Sequence, residues 1–290
     1  MMNSNKVLAF IQLTRLNRPI GSYLLLWPTL WALWTASDGI PQIKHLIIFT
    51  LGVFIMRSAG CVINDFADRK LDGHVKRTKN RPLATGVVTA KEALILFFVL
   101  LVFALILVLQ LNIETIFLSF IALFLASLYP FMKRYTHLPQ LFLGAAFSMA
   151  IPMAFTAVQG QVTFVGWLLF ACNLVWTVAY DTLYAMVDRD DDLKVGIKST
   201  AVLFGRYDKL IVFILHLITV SGLFFVGIIQ GFYPVYFSCL GLALALFCYQ
   251  QWQVRQRDRD ACFNAFLQNH YAGLLVLFGI ILHYAQAAAA

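Results

Sequence analysis

The chain has 290 residues, 61% of them hydrophobic, 15% aromatic and only 12% charged, against roughly 45–50% apolar and 25% charged in soluble domains. That balance excludes a soluble enzyme or a soluble binding module and places the chain among polytopic membrane proteins. Its formal net charge of +8 resides in connectors between apolar runs, where cations set topology, so no nucleic-acid partner is expected.

In chain order, residues 5–18 are predicted to form an interfacial amphipathic helix. Gln12, Arg15 and Arg18 interrupt its apolar patch, and no small-residue cleavage site follows. A bilayer core asks for about 20 apolar residues per crossing. The chain offers about nine such spans: 20–37, 43–66, 91–111, 113–131, 138–158, 163–186, 209–229, 232–251 and 267–286. Trp27-Pro28 and Ile151-Pro152 fall inside spans, which membrane helices tolerate where neighbours re-satisfy the freed carbonyl. The expectation is an all-α polytopic membrane protein, one bundle and one domain over residues 1–290. Its polar connectors are 67–90, 187–208 and 252–266.

Cations sort these connectors by side. Lys6, Arg15 and Arg18 precede the first span, and Arg69, Lys70, Lys76, Arg77, Lys79, Arg81 and Lys91 lie after the second. Lys133 and Arg134 follow the fourth span, Arg189, Lys194, Lys198, Arg206 and Lys209 the sixth, and Arg255, Arg257 and Arg259 the eighth. The loops between carry only Lys44. The positive-inside rule then predicts a cytoplasmic N-terminus and, after nine spans, an outside C-terminus. The five cysteines, Cys61, Cys172, Cys239, Cys248 and Cys262, show no C-x-x-C spacing for zinc or redox chemistry. His45, His137, His216, His270 and His283 show no ligand spacing either, and His74 lies among mixed charges.

The acids are patterned. Asn64, Asp68 and Asp72 fall at i, i+4 and i+8, which on a helix drift by about 40° per step and share one face. Tyr184, Asp188 and Asp192 repeat those offsets at the end of the sixth span, and the two sets align as N-x-x-x-D-R-x-x-D and Y-x-x-x-D-R-x-x-D. Asp181, seven residues before Asp188, shares its face. Two helices thus bring carboxylates to one cytoplasmic cavity. Magnesium binds through one or two carboxylates plus substrate phosphates and keeps several waters. Asp68, Asp72, Asp188 and Asp192 are therefore the candidate Mg²⁺ ligands for a lipid diphosphate, with Asn64 and Tyr184 orienting them. Arg134, Lys133, Lys198 and either Lys76 or Arg77 are candidates to share the diphosphate charge. Arg57, seven residues before Asn64 and inside a span, is an intramembrane cation on the same face, and such residues are rare outside functional sites.

At these residues the sequence resembles the UbiA superfamily of intramembrane prenyltransferases. The resemblance runs over nearly the whole chain, through RPIGSYLLLWPTLWAL, GCVINDFADRKLDGHVKRTKNRPLATG, YPFMKRYTHLPQ and AYDTLYAMVDRDDDLKVGIKST. The two aspartate-rich motifs of the family match here as Asn64, Asp68 and Asp72, then Tyr184, Asp188 and Asp192. The resemblance implies an enzyme of the bacterial inner membrane that moves a polyprenyl group from a polyprenyl diphosphate to 4-hydroxybenzoate. Transfer goes to the ring carbon ortho to the hydroxyl, a step toward ubiquinone. The expected chemistry is ionisation to an allylic cation and electrophilic aromatic substitution, with connectors 67–90 and 187–208 closing over the site. Arg57, Arg15 and Arg18 are candidates for the acceptor carboxylate, and no residue is assigned as the base. Another quinone precursor, a porphyrin acceptor, or a transporter with intramembrane acids are the other readings.

Overall fold

The computed structural model is helical throughout; it describes residues 4–70, 72–74 and 77–289, and no strand occurs among them. A short α1 (Ser4–Leu13) precedes α2 (Ile20–Ala36), α3 (Ile43–Asp68), α4 (Ala90–Val108) and α5 (Ile113–Met132). Then come α6 (Pro139–Ser148), α7 (Ala150–Gln159), α8 (Phe164–Val195), α9 (Thr200–Phe204), α10 (Asp208–Ile229), α11 (Pro234–Gln253) and α12 (Arg259–Ala289). Eight helical stretches among the described residues are long and apolar enough to cross a membrane. The 17-residue α2 corresponds to the first predicted span, which agrees with an expectation of about nine.

Three boundaries differ from the sequence reading for physical reasons. The span predicted over 138–158 is two helices that meet at Met149, because Pro152 has no N–H for the carbonyl of residue 148 and its ring crowds that turn. The sixth span does not stop at 186 but continues to Val195, where Gly196 takes a left-handed φ of 73° and caps the carbonyl of Asp192. The last helix starts at Arg259, so much of the predicted connector 252–266 is helical.

The main core is aromatic and joins α2, α7, α8, α10, α11 and α12 through Trp31, Trp176, Tyr180, Phe155, Tyr236 and Phe247. Trp rings bring N–H groups that need acceptors when buried. Trp31 donates to the Gly273 carbonyl (2.9 Å) and Trp176 to the Asn269 side-chain oxygen (2.9 Å). Gly273 permits this approach, since a Cβ there would stand 2.7 Å from the Trp176 ring. In contrast, α4 and α5 turn Phe98, Phe103, Phe117 and Phe124 outward. In lipid such a face carries no solvation penalty.

Candidate active site

Both acid rows lie at the same end of the bundle. The first begins on α3, where Asn64, Asp65 and Asp68 occupy the last turns, and ends on a separate 3₁₀ turn, Asp72–His74. The second lies wholly on α8, which carries Tyr184, Asp188 and Asp192 on one face. Asp68, Asp72, Asp188 and Asp192 are all buried. Asp190 has 75% of its side chain exposed and points to Arg259 at 3.6 Å, so helical phase does separate the members of the run DRDDD.

Burying carboxylates costs several kcal/mol each unless positive charge or hydrogen bonds compensate, and the cations of the connectors supply both. Lys133 bridges Asp68 (2.7 Å) and donates to Asn64 (3.2 Å). Arg77 places its Nε 3.0 Å from both oxygens of Asp188, donates to the Tyr184 hydroxyl, and lies over the Tyr184 ring at 4.4 Å. Arg81 reaches Asp65 (3.0 Å) and Asp72 (3.0 Å), while Arg15 grips Asp65 from α1's end (2.9 Å). The loop is folded to deliver these arginines: the Thr78 hydroxyl donates to the Asp72 carbonyl (2.9 Å), and the Arg81 N–H to the Thr78 carbonyl (2.9 Å). Burial pushes the Asp72 carboxyl above its ordinary pKa against the lowering effect of Arg81. Burial also opposes the charge of Arg77, but Tyr184, Asp188 and Asp72 outweigh it and raise its pKa.

Inside this polar end opens a cavity of about 1330 Å³. Its mouth is lined by Asn64, Asp65, Arg77, Arg81, Lys133 and Asp188, and its far walls by apolar residues such as Leu101, Leu105, Phe120 and Leu123 of α4 and α5. Part-way down lie Arg57, Asp181, Tyr129 and Tyr180. Arg57 makes no ion pair among the described residues; its Nε is buried without a hydrogen-bond partner, and its guanidinium stands over Phe147 at 5.8 Å. Gly21 makes the space for it, since a Cβ there would meet the guanidinium nitrogen at 2.6 Å.

The donor set suits a hard cation. It consists of carboxylate oxygens with an amide and a phenol beside them, and no cysteine or histidine of the described residues joins it. Among the described residues no three acids converge into a closed cage.

The family model described as the UbiA prenyltransferase family matches residues 25–282. The chain belongs to that family. A 4-hydroxybenzoate octaprenyltransferase of Vibrio parahaemolyticus serotype O3:K6 is 59% identical over 281 residues, 97% of this chain and 99% of the relative. One from Tolumonas auensis is 60% identical over 271 residues, 93% and 95% of the two chains. Among solved structures, the apo form of a UbiA homolog from Aeropyrum pernix K1 superposes with a TM-score of 0.79 at 23% identity, covering 90% of this chain and 97% of that one. A UbiA homolog from Archaeoglobus fulgidus bound to GPP and Mg²⁺ gives 0.75 at 18% identity, covering 94% and 99%. These likenesses share the fold.

In this UbiA family member the residues singled out by spacing do not all face the cavity. Asn64, Tyr184, Asp188, Lys133, Arg77 and Arg57 line it. Asp68 adjoins it through Lys133, and Asp72 through Arg81, while Asp192, one turn beyond Asp188 and buried, is not among the lining residues. Arg134 instead donates to the Ala67 carbonyl (2.8 Å), satisfying the end of α3. Lys198 holds the turn after α5, its ammonium on the Tyr135 carbonyl (3.3 Å) and its N–H on that of Lys133 (3.1 Å). Arg18 lines the mouth, and Arg15 is committed to Asp65. Lys76 and the side chain of His74 fall outside the described residues. Spacing did not single out Asp65 and Arg81. Asp65 sits about 100° from Asn64 on the helix, and only the fold of the 77–86 loop brings Arg81 to it.

Proposed function

We propose that the chain transfers a polyprenyl group from a polyprenyl diphosphate to the ring carbon ortho to the hydroxyl of 4-hydroxybenzoate, with Mg²⁺, as a step toward ubiquinone. The observation that carries the reading is a large cavity, acidic and arginine-rich at its mouth and apolar along its length, in a chain about 59% identical to a 4-hydroxybenzoate octaprenyltransferase. Those relatives also support an eight-unit prenyl chain as the natural donor.

Asp68, Asp72, Asp188 and Asp192 would hold the ions, with Asn64 and Tyr184 beside them. When bound, Mg²⁺ fixes the diphosphate and neutralises the charge that develops on it as the C–O bond breaks. Arg77, Arg81 and Lys133, each poised on one of the carboxylates, would share the negative charge of the diphosphate oxygens. Charge-assisted donors arranged in advance around a leaving group lower the barrier without reorganisation. The apolar walls formed by α4 and α5 receive the prenyl tail. The faces of Tyr129, Tyr180 and Tyr184 attract the positive allylic carbon. Arg57, part-way down the cavity and in no ion pair within 4 Å among the described residues, is the partner for the acceptor carboxylate; a buried cation with no carboxylate in contact is costly until such a ligand arrives. Loop 77–86 and the end of α8 cover the mouth and keep water from the cation.

The deciding experiment is an assay of membranes containing the protein with Mg²⁺, radiolabelled 4-hydroxybenzoate and octaprenyl diphosphate, scored by label in the lipid fraction. Label that stays aqueous sinks the reading, and preference for another phenol or a porphyrin would redirect its acceptor. The orientation, with the acidic end cytoplasmic, the N-terminus inside and the C-terminus outside in a bacterial inner membrane, rests on the one-sided cations. Cysteines placed at Lys79 and Lys194 should react with an impermeant reagent only from the cytoplasmic side, and one at Gln161 only from outside.

A further inference from the structure

We infer that Asp181 is the base that accepts the ring proton of the aromatic acceptor; the inference rests on the prenyl-transfer reading above. Aromatic substitution needs such a group, and the acids of the two rows are ill-placed for it. Of the buried carboxylates on the cavity wall, Asp65 is held by Arg15 and Arg81, and Asp188 by Arg77. Asp181 also lines the cavity and is only 9% exposed, yet it makes no ion pair within 4 Å among the described residues.

Its depth fits the task. Asp181 precedes Asp188 by seven residues on α8, and Arg57 precedes Asn64 by seven on α3. At 1.5 Å per residue, each lies about 10 Å further from the mouth than its partner in the acid row. Arg57 and Asp181 line the same cavity, and Lys133, Arg57 and Arg77 are the cations whose charge reaches the Asp181 carboxylate. Arg57 and Asp181 thus stand at the same depth of one cavity, so that an acceptor whose carboxylate sits on Arg57 brings its ring against Asp181. Gln140, a polar neighbour of Asp181, is itself fixed, since the Thr200 N–H donates to its side-chain carbonyl (3.1 Å). Gln140 is itself buried.

The step balances without another reactant. The allylic C–O bond breaks with its electron pair leaving on the diphosphate, and a π pair of the ring forms the new C–C bond to the allylic carbon. The C–H bond at that ring carbon then breaks, its pair restoring the aromatic ring while the proton passes to an Asp181 oxygen. The neutral acid returns the proton to water as the product leaves.

The test uses membranes carrying the full-length protein, octaprenyl diphosphate, Mg²⁺, and 4-hydroxybenzoate that is either protiated or deuterated at both positions ortho to the hydroxyl. The wild type should show no isotope effect on transfer, because proton loss is fast once the C–C bond has formed. Asp181→Asn should lose about 10²-fold or more in transfer, the usual contribution of a positioned base, and should show a primary isotope effect. It should still consume octaprenyl diphosphate and release the prenyl alcohol. Asp181→Glu should recover part of the transfer, and immunoblots of the membranes should show both variants at wild-type levels. Transfer by Asp181→Asn within about tenfold of wild type and without an isotope effect would assign the proton elsewhere, the departing diphosphate being the obvious acceptor. Loss of diphosphate consumption along with transfer would overturn the assignment too, because Asp181 would then act on ionisation. Wild-type membranes that fail to transfer would sink the prenyl-transfer reading itself, and this assignment with it.

Discussion

The two acid rows share one spacing but not one backbone. On α8 the run from Tyr184 to Asp192 is continuous helix, so residue offsets set direction: Asp188 and Asp192 are buried, Asp190 is exposed, and Asp191 turns to Arg259 (3.0 Å). On the other row α3 ends at Asp68, and Asp72 reaches its burial on a 3₁₀ turn, held by Arg81 and by the Thr78 hydroxyl on its own carbonyl. The helical row is extended by outside anchors. Arg189 and Arg257 both grip the fully buried Asp208, at 3.2 and 2.7 Å, and Arg259 holds the acids after it. A pattern with period four can thus be realised by helical geometry or by a folded loop, and the two should respond differently to change.

The largest effect should come from removing what the rows share. Chelation by excess EDTA should abolish transfer and Mg²⁺ should restore it, because in the proposed mechanism the carboxylates engage the diphosphate through a divalent ion; full turnover in chelator would contradict the whole arrangement. Next, inserting one alanine between Asp188 and Asp192 rotates the second acid by about 100° and should cost at least ~10²-fold in turnover, the scale of a lost preorganised electrostatic group. The same insertion between Asp68 and Asp72 falls where the helix has ended and should cost markedly less. Equal losses would erase the distinction between the rows.

Helical phase supplies a sharper version. Asp188→Asn keeps size and removes charge, and should lower turnover by at least ~10²-fold, whereas the exposed Asp190 replaced by Asn should stay within about tenfold, since exposed pairs contribute little. Deeper in the cavity, Gly21→Ala places a Cβ 2.6 Å from the Arg57 guanidinium. It should raise the KM for 4-hydroxybenzoate about tenfold through displacement of one charged hydrogen-bonding partner, with diphosphate consumption nearly unchanged. The smallest effect belongs to Arg259→Ala, which loosens the end of α8. Its two bridges are partly exposed, so a two- to threefold loss is expected, on the scale of about 0.5 kcal/mol, and the loss should shrink in high salt. All variants are to be compared at equal membrane levels.

Some of this was decided by sequence alone. Long apolar runs must be helices in lipid, because each must satisfy its own backbone hydrogen bonds there; the spans were therefore legible to within a few residues, except where Pro152 breaks one and ion pairs prolong others. The i, i+4, i+8 acids were legible because periodicity survives in one dimension. Which cation meets which acid was not, since Arg77 is 111 residues from Asp188 and Lys133 is 65 from Asp68, and such pairings depend on how helices and loops pack. Arg134 and Lys198 look in sequence like the other loop cations, yet packing sets both against backbone carbonyls. Asp65, Arg81 and Gln140 carry no spacing signal, and they meet their partners only because the folded loop and the neighbouring helices close on them. Periodicity fixes the direction of a side chain about its own helix axis. The angle and distance between helices, which decide what that side chain meets, come from contacts summed over the whole bundle.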